Sequence, residues 1–352
     1  MRITRVEAWP VTFDLAQPYA IAYQDVEQAT NVFLRLETDG PLVGCGCAAP
    51  DPDVTGEEPE ATLKALLEIA APLLEGSDPT RVVFQLERLR EPFAGLPAAM
   101  AAVDMALLDL VARKADLPLW KLLGGFRPSI ATSATVGILP LPETVAAARR
   151  LAKLGFRAVK LKGGREVESD IARVHAVRAA LGAGMALRFD ANQGYTLEEA
   201  HAFVEATRPC KLELLEQPTP ADQPEALGRL AASGLPIMAD ESLLSLRDAF
   251  RLARGRLVDM VNLKLMKVGG LTEALRVAAV ARAGGLAIMV GCMDEAALAI
   301  AAGLAFALAR PGVRYADLDG HFDLVGDPTA AAVRFDNGLL YPADEPGLGV
   351  RV

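Results

Sequence analysis

The stretch Ala158-Val-Lys-Leu-Lys-Gly-Gly164 gives the first indication of the fold. It predicts a short apolar strand that carries Lys160 and Lys162 and ends at two glycines, where the chain turns. Because side chains alternate between the two faces of a strand, both lysines lie on one face and Leu161 lies on the other. Burying two ammonium groups is costly, so the pair indicates either an exposed edge strand or a polar site inside the protein.

From residue 131 onward, short apolar runs alternate with segments of helical periodicity such as 141–154 and 197–206. Eight such units at a near-constant repeat predict an α/β fold, a closed parallel (β/α)8-type TIM barrel. An open doubly wound sheet is the alternative, but the sequence has no Gly-x-Gly-x-x-Gly turn to support it. The predicted strands are 133–138, 158–162, 186–190, 212–217, 236–241, 260–265, 287–292 and 315–319.

The residues before this barrel predict a separate α+β unit, because strand-like runs come first and helical segments follow. The predicted elements are strands at 3–13, 31–37 and 42–48 and helices at 60–74, 80–89 and 97–115. We therefore divide the chain into an N-terminal α+β capping domain (1–125), a TIM-barrel catalytic domain (126–320) and a C-terminal segment (321–352) that returns to the capping domain.

Composition argues against several classes of partner and site. The 352 residues carry a net charge of -9 without a lysine or arginine cluster, which argues against nucleic acid or an anionic membrane as partner. The N-terminus lacks the apolar segment of a signal peptide, and the four cysteines have no zinc or redox spacing. These features predict reduced thiols and a cytoplasmic location. The three histidines have no paired spacing, which argues against a histidine-ligated metal.

Polar residues recur at the predicted C-terminal ends of five consecutive barrel strands. They are spaced 24 to 28 residues apart, so each lies one strand-helix unit after the last. Because the C-terminal ends of barrel strands converge on the active site, these side chains are expected to share one pocket. They are Lys162, Asp190, Glu216, Asp240 and Lys264.

The three acids of this set predict a metal site. Carboxylates from adjacent strands cannot share a desolvated pocket without a cation. Oxygen ligands without histidine indicate a hard ion, and Mg²⁺ suits a small carboxylate set. A helix N-cap or a surface loop is the ordinary alternative for one acid, but it does not explain three acids in step at Asp190, Glu216 and Asp240.

The two lysines predict proton transfer on both faces of a substrate. Strands two and six lie across the axis of an eight-stranded barrel, so Lys162 and Lys264 face the bound substrate from opposite sides. One lysine removes a proton from a carbon and the other delivers a proton to the far face, which inverts a stereocentre. A proton next to a carboxylate is weakly acidic, so the developing negative charge needs the metal and nearby cations.

Several motifs resemble those of the enolase superfamily, muconate-lactonizing-enzyme subgroup. They are Lys160-x-Lys162, Phe189-Asp-Ala-Asn-Gln193, Leu215-Glu-Gln-Pro218, Ala239-Asp-Glu-Ser242 and Asn262-Leu-Lys264. The segments 103–109 and 122–125 also resemble the capping domain's last helix and the entry to the barrel, so the resemblance covers nearly the whole chain. It implies an enolase-like modified barrel in which Mg²⁺ is bound by Asp190, Glu216 and Asp240. It further implies the acid/base pair Lys162 and Lys264, the substrate-carboxylate ligand Lys160, and the supporting groups Asn192 and Glu241.

Strand eight indicates which member of the superfamily this is. Asp317-x-Asp319 places two carboxylates on one face, and two acids held together without a metal attract an ammonium group. A structural cap for the following loop is the alternative for one of them. The triplet resembles that of dipeptide epimerases, in which the pair holds the substrate's N-terminal amine. The resemblance thus implies inversion of the α-carbon of a dipeptide's C-terminal residue.

Two alternatives to the epimerase remain at this point, and the mandelate racemase branch is disfavoured. An o-succinylbenzoate synthase or a muconate cycloisomerase on the same scaffold handles dianions, which the acids of strand eight would repel. The mandelate racemase branch needs a histidine at strand seven, where the sequence has Gly291-Cys-Met-Asp-Glu295. A noncatalytic barrel that binds amino compounds predicts that the two lysines are dispensable.

Side-chain specificity is expected to depend on the loop 17–25, which we expect to close over the barrel. This loop has no arginine or lysine to bind a glutamate side chain, and Tyr23 within it is a predicted substrate contact. Four acids make the predicted mouth negative, although ordinary solvated surface is the alternative for them: Asp25, Asp51, Asp53 and Asp294, the last also a predicted substrate contact. We therefore predict apolar or cationic dipeptides as substrates in preference to Ala-Glu. A homo-oligomer is compatible with the sequence.

Overall fold

The computed structural model describes residues 1–350 and contains fourteen strands in three sheets. The strands are β1 (Ile3–Ala20), β2 (Asp25–Thr38), β3 (Val43–Ala48), β4 (Ile130–Ala131), β5 (Ser133–Val136), β6 (Ala158–Lys162), β7 (Ala186–Asp190), β8 (Leu215–Glu216), β9 (Ile237–Ala239), β10 (Met260–Leu263), β11 (Ala287–Gly291), β12 (Val313–Asp317), β13 (Val333–Asp336) and β14 (Leu339–Pro342).

Strands β5 to β12 form one parallel sheet in chain order, which confirms the predicted α/β barrel. Its two edges meet at a bridge between Thr132 and Ala316. The observed strands are shorter than the predicted ones at several ends. β8 is an example, because Gln217 adopts a left-handed backbone (φ 30°) that ends the ladder there.

Fourteen α-helices connect or cover these sheets in the described part of the chain. They are α1 (Pro52–Thr55), α2 (Pro59–Ala65), α3 (Ala71–Leu74), α4 (Val82–Leu89), α5 (Pro97–Lys114), α6 (Leu119–Leu122), α7 (Leu141–Lys153), α8 (Val167–Leu181), α9 (Leu197–Thr207), α10 (Pro224–Leu230), α11 (Leu246–Gly255), α12 (Leu265–Val268), α13 (Leu271–Ala283) and α14 (Ala297–Ala309). None of the helices in residues 1–350 has the length and apolar character needed to cross a membrane.

The barrel departs from a regular (β/α)8 arrangement after its last strand. β12 is followed by a single 3₁₀ turn (Ala330–Ala332) and the hairpin β13–β14, and no eighth barrel helix occurs before residue 350. β14 pairs with β4 at the entry to the barrel, with Leu340 opposite Ile130. The C-terminal segment therefore covers the face where a barrel helix would otherwise pack.

The capping sheet contains β1, β2 and β3, and its first two strands extend beyond the predicted 3–13 and 31–37. The extension is a hairpin in which Ala20 pairs with Asp25. Ile138 N, just after the first barrel strand, donates to Ala20 O at 2.8 Å. The loop 17–25 therefore lies over the barrel mouth, where its residues contact the barrel as well as their own sheet.

Two buried carboxylates on α5 join the capping elements to the rest of the chain. Asp104 accepts hydrogen bonds from Thr272 N at 2.8 Å and Thr272 Oγ1 at 2.7 Å, at the start of α13. Asp109 accepts from Cys45 N on β3 and from Leu348 N near the C-terminus. These bonds bring the C-terminal segment back against the capping helix α5.

Candidate active site

Three carboxylates meet at the C-terminal ends of β7, β8 and β9. Asp190, Glu216 and Asp240 are buried, and one oxygen of each lies within 4.8 Å of the others. Asp190 and Glu216 are directly paired in the parallel ladder, and Asp240 follows β9 immediately. The strand-end spacing thus brings the three acids to one point, although no residue of the set is near another in sequence.

This cluster fits a hard divalent cation. Among residues 1–350, Glu216 Oε2 is buried and accepts no hydrogen bond, while Lys160 Nζ lies 3.5 Å away. Burial and the neighbouring Asp190 carboxylate raise the pKa of Glu216, so the charged form of this acid is disfavoured until a further cation is bound. Three carboxylate groups that converge on one point, one with an oxygen free of hydrogen bonds among residues 1–350, form an oxygen donor set that suits Mg²⁺.

Lys162 and Lys264 flank the carboxylates. Lys162 Nζ donates to Asp190 Oδ2 at 2.8 Å and to Asn192 Oδ1 at 2.9 Å, and Lys264 Nζ donates to Asp240 Oδ2 at 2.9 Å. β6 and β10, which position these lysines, are four strands apart in either direction around the barrel. The two ammonium groups therefore approach the carboxylate cluster from opposite sides.

Lys160 is bound to Asp317, a pairing that the sequence did not predict. Its Nζ donates to Asp317 Oδ2 and lies 3.6 Å from Asp190 Oδ2. Burial alone would lower the pKa of Lys160, but the carboxylates of Asp317, Glu216 and Asp190 outweigh it and hold that pKa above its usual range. Lys160 is therefore a fixed cation between the carboxylate cluster and strand eight.

The two acids of strand eight differ in how well they are already satisfied. Asp317 accepts from Lys160 and from Ser133 Oγ, so its charge is compensated within the protein. Asp319 accepts Thr135 N at 2.7 Å through Oδ2, and burial and the Asp317 carboxylate raise its pKa. Both acids line the cavity, and within residues 1–350 Asp319 is the member of the pair without a cation partner.

Supporting groups surround the cluster. Asn192 links Lys162 to Glu241 Oε1 at 3.1 Å, in keeping with the roles that the family resemblance implies for both residues. Lys267 is buried and its Nζ donates to Asp240 Oδ1 and to Asn262 O. The sequence reasoning missed Lys267, whose only signal is a lysine in the otherwise apolar run 265–268.

One cavity of about 590 Å³ lies at the barrel mouth, and its lining includes both lysines of the proposed acid/base pair and several neighbours: Lys160, Lys162, Asn192, Asp240, Glu241, Lys264, Asp317 and Asp319. Tyr23, Asp51 and Asp294 line it, and Tyr19 Oη donates to Asp294 Oδ2 at 2.8 Å. Asp25 and Asp53 lie outside the cavity, and both are exposed. Two of the four acids expected at the mouth therefore line the cavity.

Two cations near the mouth come from outside the loop 17–25. Arg165 pairs with Asp25 at 3.0 Å on the outer surface. Arg150, on α7, lines the edge of the cavity and donates to Gln17 Oε1. The loop sequence alone could not indicate either arginine, because both belong to the barrel.

Comparison with known proteins places this geometry in a family. Residues 3–124 match the family described as "Mandelate racemase / muconate lactonizing enzyme, N-terminal domain", and residues 143–352 match "Enolase C-terminal domain-like". The chain belongs to the enolase superfamily. The superfamily resemblance inferred from the strand-end motifs is thereby confirmed.

The similarity to relatives within the enolase superfamily extends over nearly the full chain. The L-Lys-D/L-Arg epimerase of Desulforapulum autotrophicum is 39% identical, with 100% of this chain and 99% of the relative covered. The hydrophobic dipeptide epimerase of Enterococcus faecalis is 36% identical, with 99% of each chain covered. The crystal structure of the dipeptide epimerase of Methylococcus capsulatus complexed with Mg and L-Arg-D-Lys has a TM-score of 0.95, 39% identity and 99% coverage of both chains.

Proposed function

We propose that this protein is a dipeptide epimerase, an isomerase that inverts the α-carbon of the C-terminal residue by Mg²⁺-assisted proton transfer between two lysines. The observation that carries the proposal is the position of Lys162 and Lys264, which flank the carboxylate cluster from strands four apart in the barrel. The names of the full-length relatives support the same reaction class.

Asp190, Glu216 and Asp240 would hold the Mg²⁺ ion. When bound, the ion supplies positive charge against the negative charge that develops on the substrate when the α-proton leaves. The lysine that is neutral removes the proton, and the protonated lysine on the other face delivers one. The roles of Lys162 and Lys264 exchange for the reverse reaction, so both epimers are substrates.

The two ends of the substrate would contact Lys160 and Asp319. Lys160 lies beside the metal ligands and can bind the substrate carboxylate, while Asp319 lacks a cation and can accept the N-terminal ammonium group. A dianionic substrate of a muconate cycloisomerase or an o-succinylbenzoate synthase would bring a second negative charge to Asp319. The epimerase is therefore favoured over these lyase and cycloisomerase alternatives.

Cationic dipeptides are the proposed substrates, because Asp51 and Asp294 both line the mouth of the cavity. Two relatives that are 39% identical are L-Lys-D/L-Arg epimerases, which supports this choice. Apolar dipeptides are the second candidate class, because Ile21, Tyr23 and Val54 line the same cavity.

The proposal is tested with a panel of L,L-dipeptides in heavy water with Mg²⁺. We expect one deuterium at the α-carbon of the C-terminal residue together with formation of the L,D-epimer, fastest for Lys- and Arg-containing dipeptides and slowest for Ala-Glu. Mass spectrometry and chiral chromatography measure the two events. Elimination or ring formation would support a lyase or cycloisomerase, and absence of deuterium from every dipeptide would contradict the proposal.

Asp294 predicts a pH dependence that is specific to cationic substrates. Burial raises the pKa of this carboxyl to about 6, so it carries negative charge only above that pH. We expect kcat/KM for a cationic dipeptide to rise between pH 5 and pH 7 by about tenfold more than for an apolar dipeptide. In Asp294→Asn this difference should disappear. Identical pH profiles for the cationic substrate in both proteins would contradict this role.

Three further features remain predictions. We propose the division into residues 1–125, 126–320 and 321–352, and the family matches to residues 3–124 and 143–352 support it. A homo-oligomer and a cytoplasmic location are proposed from the sequence alone, and size-exclusion chromatography with light scattering would measure the first.

A further inference from the structure

A buried carboxylate on α8 connects two turns at the mouth of the barrel. Asp170 is 1% exposed and accepts hydrogen bonds through Oδ2 from Gly164 N at 2.7 Å and from Tyr195 Oη at 2.5 Å. Its other oxygen accepts from Arg173 on the same helix. Gly164 belongs to the turn after β6 and Tyr195 to the segment after β7, so one side chain bonds to both.

These two turns are also packed backbone to backbone. Gly164 has a left-handed backbone (φ +100°), and a Cβ there would lie 2.0 Å from Ala191 O. Gly163 N donates to Asp190 O at 2.9 Å. The turn after Lys162 and the turn after Asp190 therefore form a single unit, and Asp170 supports it from the outer side.

This unit carries the contacts that orient one of the two lysines. Lys162 lies two residues before Gly164, and its Nζ is held by Asp190 Oδ2 and Asn192 Oδ1. We propose that Asp170 is a positioning residue for Lys162. It lies outside the substrate cavity, so its effect reaches the reaction through this unit. Asp190 is also held from its other side by the pairing with Glu216 on β8, so Lys162 and Asn192 are the groups that loss of Asp170 should displace most.

The effect is expected on one face of the substrate only. Lys264 is held by Asp240 at the end of β9, and Asp240 is in turn bound by Lys267. None of these residues contacts Asp170 or Tyr195 through a hydrogen bond in the described chain. This inference rests on the proposed two-lysine reaction. It predicts that loss of Asp170 slows proton exchange at the face of the α-carbon served by Lys162 and leaves exchange at the Lys264 face unchanged.

The experiment measures deuterium uptake from heavy water separately for the L,L- and L,D-epimers of one dipeptide substrate, with Mg²⁺ present. Lys162→Ala first identifies the epimer whose exchange depends on Lys162. Asp170→Asn should slow exchange of that epimer by at least about tenfold, because small displacements of a reacting group have large effects on rate. The exchange rate of the other epimer should change by less than about twofold, and so should the KM values of the two epimers.

Two further variants keep the test decisive. Tyr195→Phe removes one hydrogen bond to Asp170. It should slow exchange of the Lys162-dependent epimer selectively, by a smaller factor than Asp170→Asn, and it provides the test if Asp170→Asn does not fold. Asp109→Asn is the matched control, since Asp109 is likewise buried and likewise accepts from an arginine on its own helix. Its other two donors are backbone N–H groups, where Asp170 has one backbone N–H and the Tyr195 hydroxyl. Asp109→Asn should lower the melting temperature without favouring either epimer.

Equal slowing of both epimers in Asp170→Asn and in Tyr195→Phe would overturn the inference, as would unchanged exchange of the Lys162-dependent epimer. The same selectivity in Asp109→Asn would also overturn it. Absence of exchange in the unaltered protein would contradict the proposed function itself, and the inference with it.

Discussion

Replacement of Lys162 or Lys264 by alanine is expected to reduce epimerisation by about 10³- to 10⁴-fold, the upper part of the range for general acid–base catalysis. The physical reason is that each lysine serves one face of the α-carbon, so inversion needs both. Each variant should still exchange the α-proton of one epimer with solvent, and the two variants should retain exchange of opposite epimers. Deuterium uptake from heavy water by separate L,L- and L,D-substrates measures this.

Lys211→Ala is the matched control, because Lys211 is an exposed lysine outside the cavity. It should leave both epimerisation and exchange unchanged. Retained epimerisation in Lys162→Ala or Lys264→Ala would contradict the two-lysine assignment, as would loss of exchange for the same epimer in both variants.

Replacement of Glu216 by glutamine is expected to weaken Mg²⁺ binding by at least about 100-fold and to reduce epimerisation at millimolar Mg²⁺ to a similar or greater extent. Glutamine keeps the size of the side chain and can still accept the bond from Asn262 Nδ2. It removes the negative charge of this carboxylate, whose Oε2 has no hydrogen-bond partner among residues 1–350. Isothermal titration calorimetry measures the affinity independently of activity.

Addition of Mg²⁺ should reverse the order of the melting temperatures of Glu216→Gln and the unaltered protein. Without Mg²⁺ the variant should melt at a higher temperature than the unaltered protein, because burial and Asp190 destabilise the Glu216 carboxylate. With Mg²⁺ the unaltered protein should be the more stable, because binding stabilises the native state by mass action. Glu198→Gln, at an exposed position on α9, should behave as the unaltered protein. Equal Mg²⁺ affinity in Glu216→Gln would contradict the metal assignment.

The barrel could be predicted because short apolar runs alternate with helical segments at a near-constant repeat, and five consecutive runs have a charged residue at the C-terminal end. The capping hairpin was predicted too short, since residues beyond Phe13 lack the alternation of a half-buried strand and pack against the barrel instead. No eighth barrel helix occurs among residues 1–350, in agreement with the enolase-like modified barrel that the resemblance implies; the hairpin β13–β14, which takes its place through pairing with β4, was not predicted.

The same distinction holds for the candidate site. Residues at strand ends, such as Asp190 and Lys264, could be predicted because they recur at a regular spacing along the sequence. The Lys160–Asp317 hydrogen bond joins β6 to β12, which are close only because the barrel is closed. Asp170 lies on helix α8 and reaches the turn after β6 through its bond with Gly164 N. Contacts of these kinds depend on closure and helix packing, so neither periodicity nor spacing could indicate them.

The most direct test is a crystal structure of the protein with Mg²⁺ and a cationic dipeptide. The ion should be bound by Asp190, Glu216 and Asp240, and the Nζ atoms of Lys162 and Lys264 should lie about 3 to 3.5 Å from the α-carbon of the C-terminal residue, on opposite faces. Both lysines on one face of that carbon, or a metal ion held by other residues, would contradict the account.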